Sequence, residues 1–298
     1  MRQEESSPPD PQRKNPCPAS AFADLHLHSS VSDGVLPPAE VVALAAKEGF
    51  SALSICDHDT IAGLPEGFTA AREMGLELIP GVELSTYVGK SEIHILGYCF
   101  DYEDASLLSA LHRLCRHRRA RVEKMIGLLR GLGMALDRSS VDEAAAFGSV
   151  GRLHVARALF EQGFVHHIKE AFVKYIGRGK PAYAHRTHLS AAEACQLIKQ
   201  ARGIPVLAHP SLIDSDELIP SLVQEGIMGI EAFCSKVTPE VADRYCCLAE
   251  ERGLLITGGS DCHQSETEGL LLGTVKLGCK YVEKLKSAAS ALRSGRGP

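Results

Sequence analysis

The sequence predicts an α/β protein in which parallel strands, covered by helices, close into a barrel that carries an inserted helical domain. Short apolar runs alternate with helical patterns, which is the order of strands and helices in a parallel sheet. These runs are apolar on both faces, as at 254–257, and such strands need helices on both sides. The alternation stops between about 104 and 188, where only helical patterns occur.

The strands and helices follow in order from these patterns. Pro37-Pro38 opens the first helix, and Gly49 and Gly75 lie just past helix ends. Strands are predicted at 22–28, 51–56, 76–82, 93–99, 204–208, 228–233 and 254–258. Helices are predicted at 38–48, 60–74, 189–202, 214–225 and 238–252.

The helical stretch predicts a small cap domain inserted between barrel strands. Apolar residues recur every three or four positions from Leu107 to Leu129, and shorter helices follow at 152–162 and 166–176. Functional loops of a barrel lie at the C-terminal ends of its strands, so the insertion is placed to cover the active site. We therefore expect a disordered tail at 1–20, a barrel at 21–103 and 189–298, and a cap at 104–188.

Composition excludes several classes of protein. A net charge of −5 argues against sequence-independent binding of long nucleic acids. No apolar run reaches the roughly 18 to 20 residues of a membrane span, and the first twenty residues lack the apolar core of a secretory signal. The ten cysteines show no Cys-x-x-Cys pair, which favours reduced thiols in a cytoplasmic protein.

The first predicted strand carries the clearest chemical signal. Asp24, His26 and His28 recur with a period of two, so in a strand they share one face while Leu25 and Leu27 share the other. Further acids and histidines lie in or after later predicted strands, whose ends converge on one rim of a barrel. The nine candidate metal ligands are His26, His28, Asp33, His58, Glu83, His94, His209, Asp261 and His263.

Nine ligands exceed the needs of one tetrahedral ion, so two or three ions that share bridging carboxylates are expected. Imidazole and carboxylate ligands suit zinc, manganese or iron. Three divalent ions contribute a charge of +6, and the carboxylates of Asp33, Glu83 and Asp261 contribute −3. The net charge of the site is therefore positive, and the site should attract an anion. Phosphate fits best, because clustered ions activate water, orient phosphoryl oxygens and stabilise the leaving oxygen.

The motifs Asp-Leu-His-x-His-Ser, Asp-His-Asp, Gly-Val-Glu-Leu-Ser, Ala-His-Pro and Gly-Gly-Ser-Asp-x-His resemble those of the polymerase and histidinol phosphatase (PHP) superfamily, over about 22–278. The resemblance implies a distorted seven-stranded βα barrel, a TIM-like (β/α)7 fold, with up to three ions. It implies a first ion at His26, His28, Glu83 and Asp261, a second at Glu83, His94 and His209, and a third at Asp33, His58 and His263. A hydroxide bridging the ions, held at Glu83 and Asp261, would attack phosphorus.

The insertion resembles the cap of one PHP branch, that of 3′,5′-nucleoside bisphosphate phosphatases and 5′-to-3′ exoribonucleases. The matching stretches are 151–159 and 177–183, with departures at Leu153 and, outside the cap, at Cys262. We expect Arg157 and Lys180 to hold a second phosphate. The guanidinium of Arg157 can bind it through two parallel hydrogen bonds, and Lys180 can bind it through the single charge of its ammonium group. His154, three residues before Arg157, and Tyr183 complete the predicted substrate-binding set: His154, Arg157, Lys180 and Tyr183.

Two other groups of polar residues are predicted to play supporting roles. Asp24 and Asp57 are expected to orient ligating imidazoles, which metal-binding histidines generally require. The basic run at 116–121 is expected to fill the exposed face of an amphipathic helix.

The leading prediction is a phosphatase that converts a 3′,5′-bisphosphonucleotide to the 5′-monophosphate. The first alternative is 5′-to-3′ trimming of short RNA with the same ions. An amidohydrolase-type metal hydrolase is a remote alternative, because the usual ligand set of amidohydrolases does not include a motif like Asp57-His58-Asp59. A scaffold role without catalysis would need some of the ligand residues to be replaced, and every ligand position is filled. No protein or membrane partner is inferred.

Overall fold

The computed structural model describes residues 21–89, 91–139, 141, 148–185, 189–213, 215–264 and 271–295, so the predicted tail at 1–20 lies outside the described residues. The strands are β1 (Phe22–Leu27), β2 (Ala52–Ile55), β3 (Glu77–Leu78), β4 (Gly81–Val88), β5 (Ser91–Tyr98), β6 (Leu189–Ser190), β7 (Ile204–Leu207), β8 (Gly229–Cys234), β9 (Leu255–Gly259) and β10 (Leu277–Gly278). The helices are α1 (Pro38–Lys47), α2 (Leu64–Met74), α3 (Ala105–Gly131), α4 (Arg152–Glu161), α5 (Ile168–Ala171), α6 (Ala191–Gln200), α7 (Ile219–Glu225), α8 (Pro239–Glu251) and α9 (Cys279–Arg293).

The fold is mixed α/β, and its hydrogen-bonded strands form two sheets in the orders β10-β1-β2-β3 and β6-β4-β5-β7-β8-β9. Two isolated parallel bridges, Leu27 with Cys262 and His58 with Glu83, join one sheet to the other. Both bridges involve residues next to candidate metal ligands or the ligands themselves. The closed seven-stranded barrel stays a prediction, because the hydrogen-bonded strands belong to two separate sheets and not to one closed sheet.

Most predicted strands lie within two residues of an observed strand, but the one at 76–82 is wrong. Pro80 has no amide hydrogen to donate, and the chain forms the short β3 before it and the separate eight-residue β4 after it. Glu83 is therefore inside β4 and does not follow a strand. The expectation of parallel strands is also wrong for β5, which is antiparallel to both β4 and β7.

The predicted helices exist but are shorter at their ends. The helix expected at 60–74 begins at Leu64, and the one expected at 214–225 begins at Ile219, after a 3₁₀ turn at Asp216–Leu218. Leu189 and Ser190, expected in a helix, pair with β4 as β6. Ser190 then caps α6, because its hydroxyl accepts the amide hydrogen of Glu193.

Helix α3 connects two hydrophobic cores. Leu107, Leu111 and Leu114 in its first half pack into the core of the sheets and their helices. Its second half, with Val122 and Met125, packs into a separate core shared with α4, α5 and the single π-helical turn Phe172–Ile176. The predicted insertion thus has apolar packing of its own, while its status as a separate cap domain stays a prediction.

Eight cysteines among the described residues carry free thiols, whereas Cys279 is disulfide-bonded, so the expectation of reduced thiols throughout is wrong at that position. Cys262, between Asp261 and His263, is a fully buried free thiol. No helix among the described residues is both long and apolar enough to cross a bilayer.

Candidate metal centre

Strand β1 places its alternating polar residues on one buried face. Asp24, His26 and His28 are all fully buried, and Leu25 and Leu27 are equally buried on the opposite face. The strand ends at Leu27, so His28 is the first residue of the following loop. The period-two prediction is therefore confirmed, and both imidazoles point away from the apolar face of the strand.

The imidazoles of His26 and His28 meet two carboxylates at one point. The Nε2 atom of His28 lies 3.2 Å from Nε2 of His26 and 3.3 Å from both Oε2 of Glu83 and Oδ1 of Asp261. Nε2 of His26 lies 3.4 Å from the same Glu83 oxygen and 3.7 Å from the same Asp261 oxygen. Four potential ligand atoms, from β1, the loop that follows β1, β4 and the loop after β9, thus surround one position.

Glu83 faces two groups of histidines, one with each carboxylate oxygen. Its Oε2 atom faces His26 and His28, while its Oε1 atom lies 2.7 Å from Nδ1 of His94 and 3.1 Å from Nε2 of His209. Residues 83 and 94 share one face of the antiparallel pair β4–β5, since Ser85 is directly opposite His94. This arrangement is what a bridging carboxylate requires.

A third group lies around Asp33. Its Oδ1 atom is 3.3 Å from Nε2 of His263 and 3.6 Å from Nδ1 of His28, and its Oδ2 atom is 3.6 Å from Nε2 of His58. Nδ1 of His58 lies 3.0 Å from Oε2 of Glu83, so His58 stands between Asp33 and Glu83. The rings of His28 and His263 stack with centroids 4.2 Å apart.

All nine candidate ligands are therefore in one place, and their binding of ions stays a prediction. Atoms within 4.8 Å of one another form three sets that could each hold a metal ion: His28 with Asp33, His58 and His263; His26 with His28 and Asp261; and His58 with Glu83 and His94. His209 joins through its contact with Glu83.

Several buried polar atoms of the centre make no hydrogen bond within the described part of the chain. They include Nδ1 of His28, His58 and His209 and Oε2 of Glu83. Nδ1 of His58 is only 3.0 Å from Oε2 of Glu83, yet the two do not have hydrogen-bond geometry. Because buried polar groups are nearly always satisfied, this donor set fits divalent cations with mixed imidazole and carboxylate ligands.

The opposite charges of the imidazoles and carboxylates shift the pKa values of the residues in the centre. Burial disfavours the charged form of His28, but the carboxylates of Asp261 and Glu83 that face its imidazole outweigh burial and raise the pKa of His28 to about 10. The pKa of His94 rises to about 9, chiefly through Glu83 and against burial. Conversely, the surrounding imidazoles hold the pKa of Asp261 well below its usual range despite burial. The carboxylates are thus ionised and available to cations.

The backbone at the centre is held in unusual conformations. Asp59, His209 and Asp261 have φ values of 56°, 27° and 53°, which non-glycine residues seldom adopt and which cluster at functional sites. Gly259 lies against β1 so closely that a Cβ atom there would come 2.3 Å from both N and Cβ of His26. This close approach brings the loop carrying Asp261 next to the two histidines.

The predicted roles of Asp24 and Asp57 are wrong in their detail. Asp24 accepts the amide hydrogens of His26 and Ser260, and Asp57 accepts hydrogen bonds from Ser29 and Ser32. Their hydrogen bonds hold backbone and hydroxyl groups of the flanking loops, and none goes to an imidazole. The amide and hydroxyl contacts keep the two loops that carry His28, Asp33 and Asp261 in position.

Glu231, which was not predicted, is the carboxylate that orients an imidazole. Its Oε1 atom is 2.9 Å from Nδ1 of His26, and its Oε2 atom accepts the amide hydrogen of His209 at 2.8 Å. Glu231 is 1% exposed within β8. A lone carboxylate in the apolar run 229–234 was the signal available in the sequence.

Arg118 and Lys236 were also missed. Arg118 belongs to the basic run expected to be exposed, yet it is buried, pairs with Asp59 and donates to Oγ of Ser85 at 3.0 Å. Exposed Arg116 and Arg119 do follow the prediction. Nζ of Lys236 lies 3.1 Å from Oδ2 of Asp261, which places a cation at the edge of the centre.

The predicted substrate-binding residues do not form one group. His154 is fully buried and accepts the amide hydrogen of Gly151. Arg157 donates to the backbone oxygen of Asp33 at 3.0 Å, so it supports the loop of the third group. Lys180 is exposed, and Tyr183 lies under the guanidinium of Arg121 at 5.4 Å. Their binding of substrate stays a prediction.

Similarity to known proteins agrees with this centre. A model of the PHP domain matches residues 24–176. A 5′-3′ exoribonuclease of Haemophilus influenzae is 40% identical, covering 80% of this chain and 89% of the relative. A 3′,5′-nucleoside bisphosphate phosphatase of Chromobacterium violaceum is 32% identical, covering 82% and 87%. A predicted metal-dependent phosphoesterase of Bifidobacterium adolescentis superposes with a TM-score of 0.83 at 27% identity, covering 94% and 97%. The chain belongs to the PHP family of metal-dependent phosphoesterases.

Proposed function

We propose that the protein is a metal-dependent phosphatase that removes the 3′-phosphate from a nucleoside 3′,5′-bisphosphate and leaves the 5′-monophosphate. The observation that carries the proposal is Glu83, whose two oxygens face separate groups of histidines. The similarity to a nucleoside bisphosphate phosphatase over 82% of this chain supports the choice of substrate.

In this proposal, two or three divalent ions of manganese, zinc or iron are held by the nine ligands. His26, His28, Glu83 and Asp261 would hold the first; Glu83, His94 and His209 the second; and Asp33, His58 and His263 the third. When bound, such ions activate water, polarise the phosphoryl group and stabilise the leaving oxygen.

The protein residues themselves supply position and charge balance. Three carboxylates, Asp33, Glu83 and Asp261, leave a net positive charge beside three divalent ions, which favours a phosphate dianion. Lys236 next to Asp261 adds a further cation that can contact a phosphoryl oxygen. Burial of His26 and Glu83 keeps bulk water from screening these charges.

A second candidate function is 5′-to-3′ exonucleolytic cleavage of short RNA. It is favoured by the 40% identity to the exoribonuclease of Haemophilus influenzae. The phosphoester chemistry would be the same, and only the polymer attached beyond the ribose would differ.

Phosphate release tests the proposal. The protein is loaded with manganese, zinc or iron and incubated with a nucleoside 3′,5′-bisphosphate or with a 5′-phosphorylated oligoribonucleotide. We expect phosphate from the bisphosphate and a 5′-monophosphate product. His26→Ala should lower the rate by about 100-fold or more, since even the outer partners of metal ligands are worth about 10- to 100-fold.

The matched control is His112→Ala, because His112 is an exposed histidine of α3. It should behave like the unaltered protein. Release of mononucleotides from the oligonucleotide without phosphate release from the bisphosphate would favour the exonuclease. Absence of both reactions under every metal, with no difference between the two variants, would contradict the phosphoesterase assignment.

A further inference from the structure

A cleft separate from the metal centre lies between α3 and residues 60–65, which lead from Asp59 into α2. We call it the α3 cleft. Its volume is about 510 Å³, within the roughly 300 to 1,000 Å³ of sites that bind small molecules. None of the nine candidate metal ligands is among the described residues that line it.

The walls of the α3 cleft are mostly apolar. Ile61 and Leu64 line it before and at the start of α2, and Leu108 and Leu111 line it from α3. Leu64 and Leu111 are also buried members of the core of the sheets and their helices, which fixes the positions of the walls. Ile61 and Leu108 are only partly buried, so they present surface that the apolar body of a ligand can cover.

Two arginines of α3 also line the cleft. Arg116 and Arg119 are three residues apart, so they share one side of the helix, and both are exposed. Neither forms a hydrogen bond or an ion pair with another residue in the part of the chain that the structure describes. Their two positive charges are therefore available to a ligand.

The described lining of the cleft includes no acidic residue that would neutralise these arginines. Glu66 and Asp104, which are close to lining residues in the sequence, have other partners. Oε1 of Glu66 accepts the amide hydrogen of Ala39 at 3.1 Å, and Oδ1 of Asp104 accepts that of Leu107 at 2.8 Å. The positive charge beside apolar walls suits an anion that has an apolar body.

A thiol and a buried hydroxyl lie beside the cleft. Cys115 lines it and donates from Sγ to the backbone oxygen of Asp59 at 3.5 Å. Burial raises the pKa of the Cys115 thiol, and Ser149 is close enough to oppose this shift. Ser149 is 1% exposed, and its Oγ has no hydrogen-bond partner among the described residues. This unmet hydroxyl is a further donor for a bound anion.

The cleft borders both loops that carry ligands of the third group. Thr60, in the lining, is two residues after the candidate ligand His58. Ser149, next to a lining residue, donates its amide hydrogen at 2.8 Å to the backbone oxygen of Val31, two residues before Asp33. A ligand in the cleft therefore lies against the segments that position His58 and Asp33.

We propose that the α3 cleft is an effector site for a small organic phosphate, with Arg116 and Arg119 as ligands of the phosphate and Ile61 and Leu108 as contacts of its apolar body. The two arginines match the two charges of a phosphate monoester, whereas a carboxylate would leave one arginine without a partner. The effector and the metal ions order the same two loops, so the binding of one strengthens the binding of the other. This role does not depend on which substrate the metal centre hydrolyses.

Fluorescence titration with anilinonaphthalene sulfonate tests binding. This probe is an anion with an apolar body, and it is not a phosphate ester that the protein could hydrolyse. In metal-loaded protein, Arg116→Met and Arg119→Met should each raise the Kd of the probe by about 10-fold, the value of a hydrogen bond to a charged group. Arg113→Met, the matched control, replaces an exposed arginine outside the described lining and should change the Kd by less than about 2-fold. An unchanged Kd in all three variants overturns the site.

Alkylation of Cys115 locates the probe. The protein is treated with iodoacetamide, and peptide mass spectrometry follows Cys115 and Cys247, an exposed thiol of α8. Saturating probe should slow the alkylation of Cys115 and leave that of Cys247 unchanged. Equal rates at Cys115 with and without the probe overturn the site. Metal-free His26→Ala should bind the probe as tightly as the metal-free unaltered protein does, and loss of binding would place the probe at the metal centre instead.

Displacement of the probe identifies the class of ligand. The competitors are octyl phosphate, octanoate of the same chain length, and a nucleoside 5′-monophosphate. We expect octyl phosphate to displace the probe at a lower concentration than octanoate does, because only the phosphate engages both arginines. Stronger displacement by the nucleotide than by octyl phosphate would assign the apolar body to a nucleobase. Equal displacement by octyl phosphate and octanoate overturns the phosphate assignment.

Metal titration tests the connection to the metal centre. The Kd for manganese is measured with and without saturating probe, at high ionic strength so that direct attraction between the two sites is screened. The probe should raise the manganese affinity of the unaltered protein by about 5-fold or more and leave that of Arg116→Met unchanged. Manganese affinity that does not respond to the probe overturns the effector role, whether or not the protein releases phosphate from a nucleotide.

Discussion

At the scale of single residues, the metal centre depends on carboxylates that contact its histidines without being predicted ligands. Glu231 faces Nδ1 of His26 and holds the amide of His209, so one side chain fixes a candidate ligand in β1 and another just after β7. A carboxylate partner sets the tautomer and orientation of a ligating imidazole and raises its basicity. Glu231 therefore controls how the Nε2 atom of His26 is presented.

Replacing Glu231 should weaken metal binding more than it weakens the fold. Glu231→Gln keeps the shape and removes the charge, and we expect metal affinity to fall by about 10- to 100-fold. Equilibrium dialysis with metal analysis measures the effect. Glu251→Gln, an exposed change on α8, serves as the control. Unchanged affinity in Glu231→Gln would show that His26 does not need this partner.

At the scale of elements, α3 is tied to the strands by a buried ion pair. Arg118 pairs with Asp59, whose other oxygen accepts the amide hydrogen of Ser85 at 3.1 Å. Asp59 follows His58, and Ser85 is two residues from Glu83, so the contact supports two candidate ligands at once. The left-handed φ of Asp59, 56°, is maintained by these partners.

Removing Arg118 should destabilise the fold. Arg118→Met removes one member of the buried pair between Arg118 and the fully buried Asp59, and breaking a buried pair in this way costs about 3–5 kcal/mol. Arg119→Met, one residue along and exposed, should change stability by no more than about 0.5 kcal/mol. Urea unfolding of the two variants makes the comparison. Equal midpoints would mean that the pair contributes nothing to stability.

At the scale of the whole molecule, folding and metal binding are coupled through protons. In the metal-free protein the pKa of His28 is about 10 and that of His94 about 9, both above the ordinary value of 6.5. The folded state then binds more protons than the unfolded state between pH 6.5 and 10. Stability from these groups is complete below pH 6.5 and declines as pH rises through that window.

Metal affinity should change with pH in the opposite direction to the stability of the metal-free protein. Imidazoles coordinate metals in their neutral form, so binding at pH 7.5 displaces protons from His28 and His94, and affinity rises with pH. Calorimetric titration with manganese in two buffers of different ionisation enthalpy should show net proton release. Chelation should lower the melting temperature, and by more at pH 9 than at pH 6.5. Proton-neutral binding would contradict the protonated state of the metal-free centre.

The agreement between sequence and structure varies with the range of the interactions involved. The alternation in β1 and the positions of the nine candidate ligands followed from local spacing and motif order. The hairpin β4–β5 was missed because β4 follows Pro80 closely and its apolar pattern merged with β3. Arg118 was missed because helical spacing alone does not tell which arginine of a basic run faces a neighbouring strand.

The sequence by itself determined the nine candidate ligands, the α/β class and the family, because strand periodicity and motif spacing are local properties of the chain. The tertiary structure alone decided which atoms meet: that Glu83 faces two groups of histidines, that Glu231 supports His26, and that Arg157 supports a loop. These are contacts between residues far apart in sequence, and they depend on how strands and α3 pack.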